Sequence, residues 1–133
     1  GSAAPDKQPV SPAVQEAFDR LLGLKAFAFG GVGFAGTTSA GESAFNVLLA
    51  STSALRLFRA VLAQGSAEAK LYALCAIRQL DKASFEADSR GWVDANPQVT
   101  TIAGCIVRHE KMAAVIRRIG EGAYDRQVSR GTR

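Results

Sequence analysis

Residues 53–81 read SALRLFRAVLAQGSAEAKLYALCAIRQLD, and this stretch constrains the fold more than any other. Leu55, Phe58, Val61 and Leu62 recur at three- and four-residue spacing, with Arg56 and Arg59 off that face, which predicts an amphipathic helix. Gly65 stops it. Ser66 then supplies an N-cap, and Glu68 lies in the first turn of a second helix, where the helix dipole favours an acid. That second helix carries Leu71, Tyr72, Leu74, Cys75, Ile77 and Leu80, and is apolar almost all round. A helix of this kind has no face to give to water, so other elements have to wrap it.

The remaining segments supply the wrapping. Ser11-Pro12 opens a helix with proline at its first position, where a missing N–H costs nothing. Val14, Ala17, Phe18, Leu21 and Leu22 form its apolar stripe, and Gly23 is expected to end it in a left-handed turn. Ser39-Ala40-Gly41-Glu42 matches a capping box ahead of Phe45, Leu48 and Leu49. Asp81 caps a short helix that carries Phe85 and ends near Gly91. Between Val99 and Val107 the β-branched density favours two short strands, paired with one another or with Ala26–Phe29. A last helix is expected from His109 or Glu110, with Met112, Val115, Ile116 and Ile119 inward and Gly120 at its end.

The predicted fold is therefore mainly α: a compact domain of about five to six helices with a helical hairpin and a minor β element. A chain of 133 residues suits one such domain. Residues 11–122 are assigned to it. Residues 1–10 read as a cloning scar (Gly1-Ser2) and a polar, proline-bearing leader, and residues 123–133 as a basic tail. A leader of this kind would follow a removed signal peptide in a secreted or periplasmic protein. No window approaches the length of apolar sequence that a membrane span needs.

The pair of helices within residues 53–80 resembles a single HEAT-type repeat. The likeness is carried by Lys70, Ala73, Ala76 and Leu80, followed by Asp81, arranged like the second helix of such a repeat. The resemblance implies a helical hairpin and, as that family's usual work, protein binding. Three copies, which a solenoid needs to bury its faces, are not present.

Gly31, Gly33 and Gly36 spell G-x-G-x-x-G after a short apolar run. A dinucleotide fingerprint would need an acid about twenty residues further on and a second parallel strand. Arg56 stands at that distance, and no such strand follows. A phosphate loop needs Lys-Ser/Thr after its last glycine, and here Thr37-Thr38 follow Gly36. Without the lysine, Gly31, Gly33, Gly36, Thr37 and Thr38 are left as a loop at a helix N-terminus for a small anion or nucleotide. The competing reading takes the glycines as architecture, for positive φ or close backbone approach. That reading is preferred.

The formal net charge of +4 arises entirely from residues 108–133, which hold seven Lys/Arg against Glu110, Glu121 and Asp125. Arg108, Lys111, Arg117 and Arg118 are the candidate patch for nucleic acid. Tyr124 is the lone aromatic there, too few for a stacking platform, which argues against that partner.

Catalytic chemistry is thin. Cys75 and Cys105 permit one disulfide, but two reduced, buried thiols are favoured. His109 stands four residues from Cys105, yet the β-branched run between them opposes a helix, and no orienting third group is evident. No metal site or cofactor is predicted, and no constellation supports an enzyme. The leading expectation is a non-enzymatic helical module that binds another protein, with Arg56, Arg59, Lys70 and Arg78 as its contact face.

Overall fold

The structure, a computed structural model, describes residues 10–33, 36–92 and 97–131. It is mainly α, with seven helices and two small antiparallel strand pairs among the described residues. The order is α1 (Pro12–Leu22), β1 (Gly31–Val32), β2 (Thr37–Thr38), α2 (Ala40–Leu49), α3 (Ala54–Gln64), α4 (Ala67–Leu80), α5 (Lys82–Arg90), β3 (Gln98–Ala103), β4 (Ile106–Lys111), α6 (Met112–Gly120) and α7 (Asp125–Gly131).

Helix α4 is the axis. Every residue from Leu71 to Ile77 is buried, and α3, α5, α6 and α7 all pack against it. Its partner α3 turns back on it through Gly65-Ser66, so the predicted helical hairpin forms, and buries Leu57, Phe58 and Val61. The caps follow the residue chemistry. Ser11, Ser39, Ser66 and Asp81 each accept a hydrogen bond from the backbone N–H three residues on, which satisfies a donor the helix cannot. Gly23 departs from expectation. It closes α1 at φ −100°, not in the left-handed region, because its N–H reaches Leu21 C=O without that twist.

Around the upper end of α4 the aromatic rings meet edge to face. Phe27 lies 4.8 Å from Tyr72 and 5.0 Å from Tyr124, and Phe29 lies 5.1 Å from Phe45. This geometry sets the positive edge of one ring against the negative face of the next. It holds the extended segment Phe27–Phe29 between the helices and the β3–β4 hairpin.

Two boundaries differ from the sequence reading. Strand β4 runs on through His109, Glu110 and Lys111, so α6 starts only at Met112. The reason is pairing, since His109 and Glu110 face Thr100 and Val99 across the hairpin. The segment read as a tail contains α7. Its one apolar residue, Val128, is buried, and Asp125 pairs with Arg78 of α4 at 3.0 Å, so two tertiary contacts hold a helix that local pattern does not announce.

Candidate functional site

The described part of the glycine stretch forms a short strand pair. Gly31 pairs with Thr38 and Val32 with Thr37, and Gly33 and Gly36 take φ of +71° and +62° in the turn between. A Cβ on Gly31 would stand 2.7 Å from the Gly36 carbonyl oxygen, so the strands close only over glycine. Its amide groups are committed internally. Gly33 N–H donates to Gly104 C=O at 3.0 Å, and Gly30 N–H donates to Glu42 Oε1 at 2.8 Å. Glu42 also stands in the first turn of α2, so a carboxylate of the chain itself already occupies the place an anion would take. Among the described residues of this loop, the Gly30 and Gly33 amides are thus already engaged within the fold.

Three of the four cations of the expected contact face, Arg59, Lys70 and Arg78, are turned to internal work. Arg59 reaches Asp81 and Asp88 at 3.4 and 3.8 Å. Lys70 Nζ donates to Gly65 C=O at 2.6 Å and sits 5.3 Å from the centre of the Trp92 ring. Arg78 holds Asp125, and Arg56 is also engaged. Arg59, Lys70 and Arg78 thereby fasten α3, α4, α5 and α7 together.

Nor do the C-terminal cations form one patch. Arg118 is drawn onto Glu110 by two bonds, 2.7 and 3.0 Å, and both Nε and Nη2 donate to the Tyr124 hydroxyl at 3.3 Å. Arg108 and Lys111 project from opposite faces of β4 by strand alternation. Arg117 lies over a shallow depression beside Phe85 and Gly120.

The cysteines are both free: Cys75 is buried in α4 and Cys105 is exposed in the hairpin loop. Burial pushes the Cys75 thiol up, away from thiolate reactivity. The expectation of two buried thiols fails at Cys105, which sits in the two-residue turn Gly104-Cys105 outside any core. His109 lies on a strand, in contact with Thr100 Oγ1 at 3.2 Å, so no helix brings it onto one face with Cys105. Among the described residues no cluster of metal-ligating groups forms, and no helix is long and apolar enough to cross a membrane.

What the sequence reading missed is the hairpin edge. On β3 three outward main-chain groups are taken. Phe27 N–H donates to Thr100 C=O at 2.8 Å, Ile102 N–H donates to Phe27 C=O at 3.1 Å, and Thr100 N–H donates to Glu68 Oε2 at 2.9 Å. Thr100 and Ile102 face His109 and Val107. Facing residues of an antiparallel pair direct their polar groups alike, both inward or both outward. Val107 and His109 therefore direct N–H and C=O away from β3, and no described residue meets them there.

This bare edge is also apolar and basic. Ile106 and Val107 are 54 % and 56 % exposed, the most exposed large apolar residues described. Arg108, His109 and Lys111 are exposed on the strand, whereas Glu110 is turned inward. Three donors converge on Glu110, from Arg118 and from Thr101 Oγ1 at 2.6 Å, and the Arg118 bonds above all hold its carboxyl below the usual range. Its charge is thereby spent within the fold. Beneath the hairpin, between β3–β4 and Phe27, Phe29 and Tyr124, lies a cavity of about 300 Å³.

No protein-family model matches the chain, and no curated protein or solved structure is similar to it at a significant level. Function is therefore read from the chain's own geometry.

Proposed function

We propose that this protein is a non-enzymatic interaction module that docks an acidic, extended segment of another protein along the outer edge of β4. One observation carries the reading: the outward N–H and C=O groups of Val107 and His109 meet no described residue, while on β3 both groups of Thr100 and the N–H of Ile102 are closed by Phe27 and Glu68. An exposed edge is a template for an added strand, with main-chain bonds giving affinity and neighbouring side chains giving selectivity. Arg108 and Lys111, with Glu110 neutralised by Arg118, make that selectivity one for acidic sequence. The helical hairpin α3–α4 serves as the rigid support.

A ten-residue peptide alternating Glu and Val, with its Lys/Val counterpart as control, tests this by fluorescence polarisation. Saturable binding of the acidic peptide alone, weakened by salt, is expected. His109→Pro should abolish it. Proline is tolerated in an edge strand where its missing N–H faces solvent, so the hairpin survives while the docking donor is lost. Equal binding of both peptides, or indifference to His109→Pro, would overturn the reading. So would concentration-dependent dimerisation that His109→Pro abolishes, because the edge would then serve a second copy of the chain.

A further inference from the structure

We propose that the cavity beneath the β3–β4 hairpin is a binding site for a small aromatic carboxylate. It lies on the inner face of the hairpin, and Arg108 is the residue it has in common with docking along the outer edge.

One side of the cavity is aromatic. Phe27 lies 5.5 Å from Phe29 and 5.0 Å from Tyr124, both nearly perpendicular to it, and all three line the space. Such a wall favours another ring, which can continue the edge-to-face arrangement. At about 300 Å³ the space is at the small end of ligand cavities and suits one ring with a short arm.

The polar groups of the lining are unbalanced, and the imbalance fixes the sign of the ligand. Arg118 and Glu110 satisfy one another, and Thr101 Oγ1 gives its proton to Glu110. The Tyr124 oxygen accepts from Arg118 through both Nε and Nη2, which leaves its own proton without an acceptor among the described residues. Arg108 lines the same space and makes no ion pair with any described residue. Two donors, one of them cationic, thus remain without a hydrogen-bonded or ion-paired side-chain acceptor among the described residues, although Arg108 still acts on the Glu110 charge from a distance. A carboxylate answers both: it takes the Arg108 guanidinium as a charge-assisted partner and the Tyr124 hydroxyl as a second donor. A cation would meet two arginines, and a bare inorganic anion would leave the aromatic wall unused.

The probe is phenylacetate, titrated into the full chain by calorimetry or by amide shift changes, with acetate, benzyl alcohol and benzylamine alongside. Phenylacetate is expected to bind saturably, acetate and benzyl alcohol about tenfold or more weakly, and benzylamine not at all. Arg108→Gln, at an exposed position that does not endanger folding, should weaken phenylacetate about tenfold and leave benzyl alcohol unchanged. Phe29→Leu should weaken both ring compounds. The site is overturned if phenylacetate gives no saturable signal, binds no better than acetate, or binds Arg108→Gln as well as the parent.

Discussion

The hydroxyl of Tyr72 bridges both main-chain polar groups of Ala28, accepting from its N–H and donating to its C=O, each at 2.8 Å. Both residues are buried, so neither amide group has water as a substitute. Ser39 Oγ donates to the same carbonyl at 2.9 Å, which ties the start of α2 to this point. The segment leading to the glycine turn is thereby clamped onto the central helix.

Tyr72→Phe keeps the ring contacts and strips the bridge. The loss expected is about 1–3 kcal/mol, the usual cost of leaving a buried amide unsatisfied. Urea unfolding of the two proteins measures it. A change within a few tenths would mean that the clamp contributes nothing net.

The same phenol predicts an alkaline limit. Burial pushes its pKa from 10.0 up to about 12, so the folded state favours the neutral form. A group with a raised folded pKa contributes stability that is complete below its unfolded value and is lost as pH rises through the folded one. Stability that depends on Tyr72 should therefore fall between pH 10 and 12. Unfolding curves across that window should show the fall in the parent protein and a smaller one in Tyr72→Phe.

Glu110 predicts the opposite limit. Arg118 first, and Thr101 after it, hold its carboxyl below the ordinary value, so the charged form is favoured on folding. The stabilisation is present above the unfolded carboxylate pKa and is lost as pH falls through the lower, folded one. Glu110→Gln should destabilise the protein at neutral pH, and the gap from the parent should close in acid. A gap that is constant with pH would exclude the ion pair as its source.

Two glycine substitutions separate architecture from incidental glycine. Gly31→Ala places a Cβ within 2.7 Å of the Gly36 backbone and should cost about 1–3 kcal/mol. Gly23 has φ −100° and open space around it, so Gly23→Ala should be neutral within about 0.5 kcal/mol or slightly stabilising. Thermal unfolding of the pair decides.

How much of this was legible in the sequence follows from the range of the interactions. The α3–α4 hairpin was legible because its signals are local: apolar residues at helical spacing, a stop at Gly65 and a cap at Ser66. Helix α7 was not, because DRQVSRG offers only Val128, and its order comes from Arg78, 47 positions away from Asp125. The strand density around Ile102 was legible, but the bare edge was not. Whether β4 is open depends on what closes β3, and that is Phe27 and Glu68, placed there by the tertiary fold. The basic residues misled for a related reason. Composition counts Arg118 and Arg78 as free charge, and the structure spends both on carboxylates.

The thiols offer a direct check on the hairpin turn. Cys105 is exposed and Cys75 buried, so a thiol reagent should titrate one group in the native protein and a second only after unfolding. Rapid reaction of both in the native state would contradict the packing of α4.

The central claim, that the β4 edge accepts a strand, is tested most directly by amide hydrogen exchange with and without a saturating acidic Glu/Val peptide. The account predicts that the largest slowing falls on the amides of Val107 and His109, whose N–H groups would gain acceptors. Unchanged exchange at those two amides, with protection appearing instead along α3 and α4 around Arg56, Arg59, Lys70 and Arg78, would contradict it and move the binding surface to the helical hairpin.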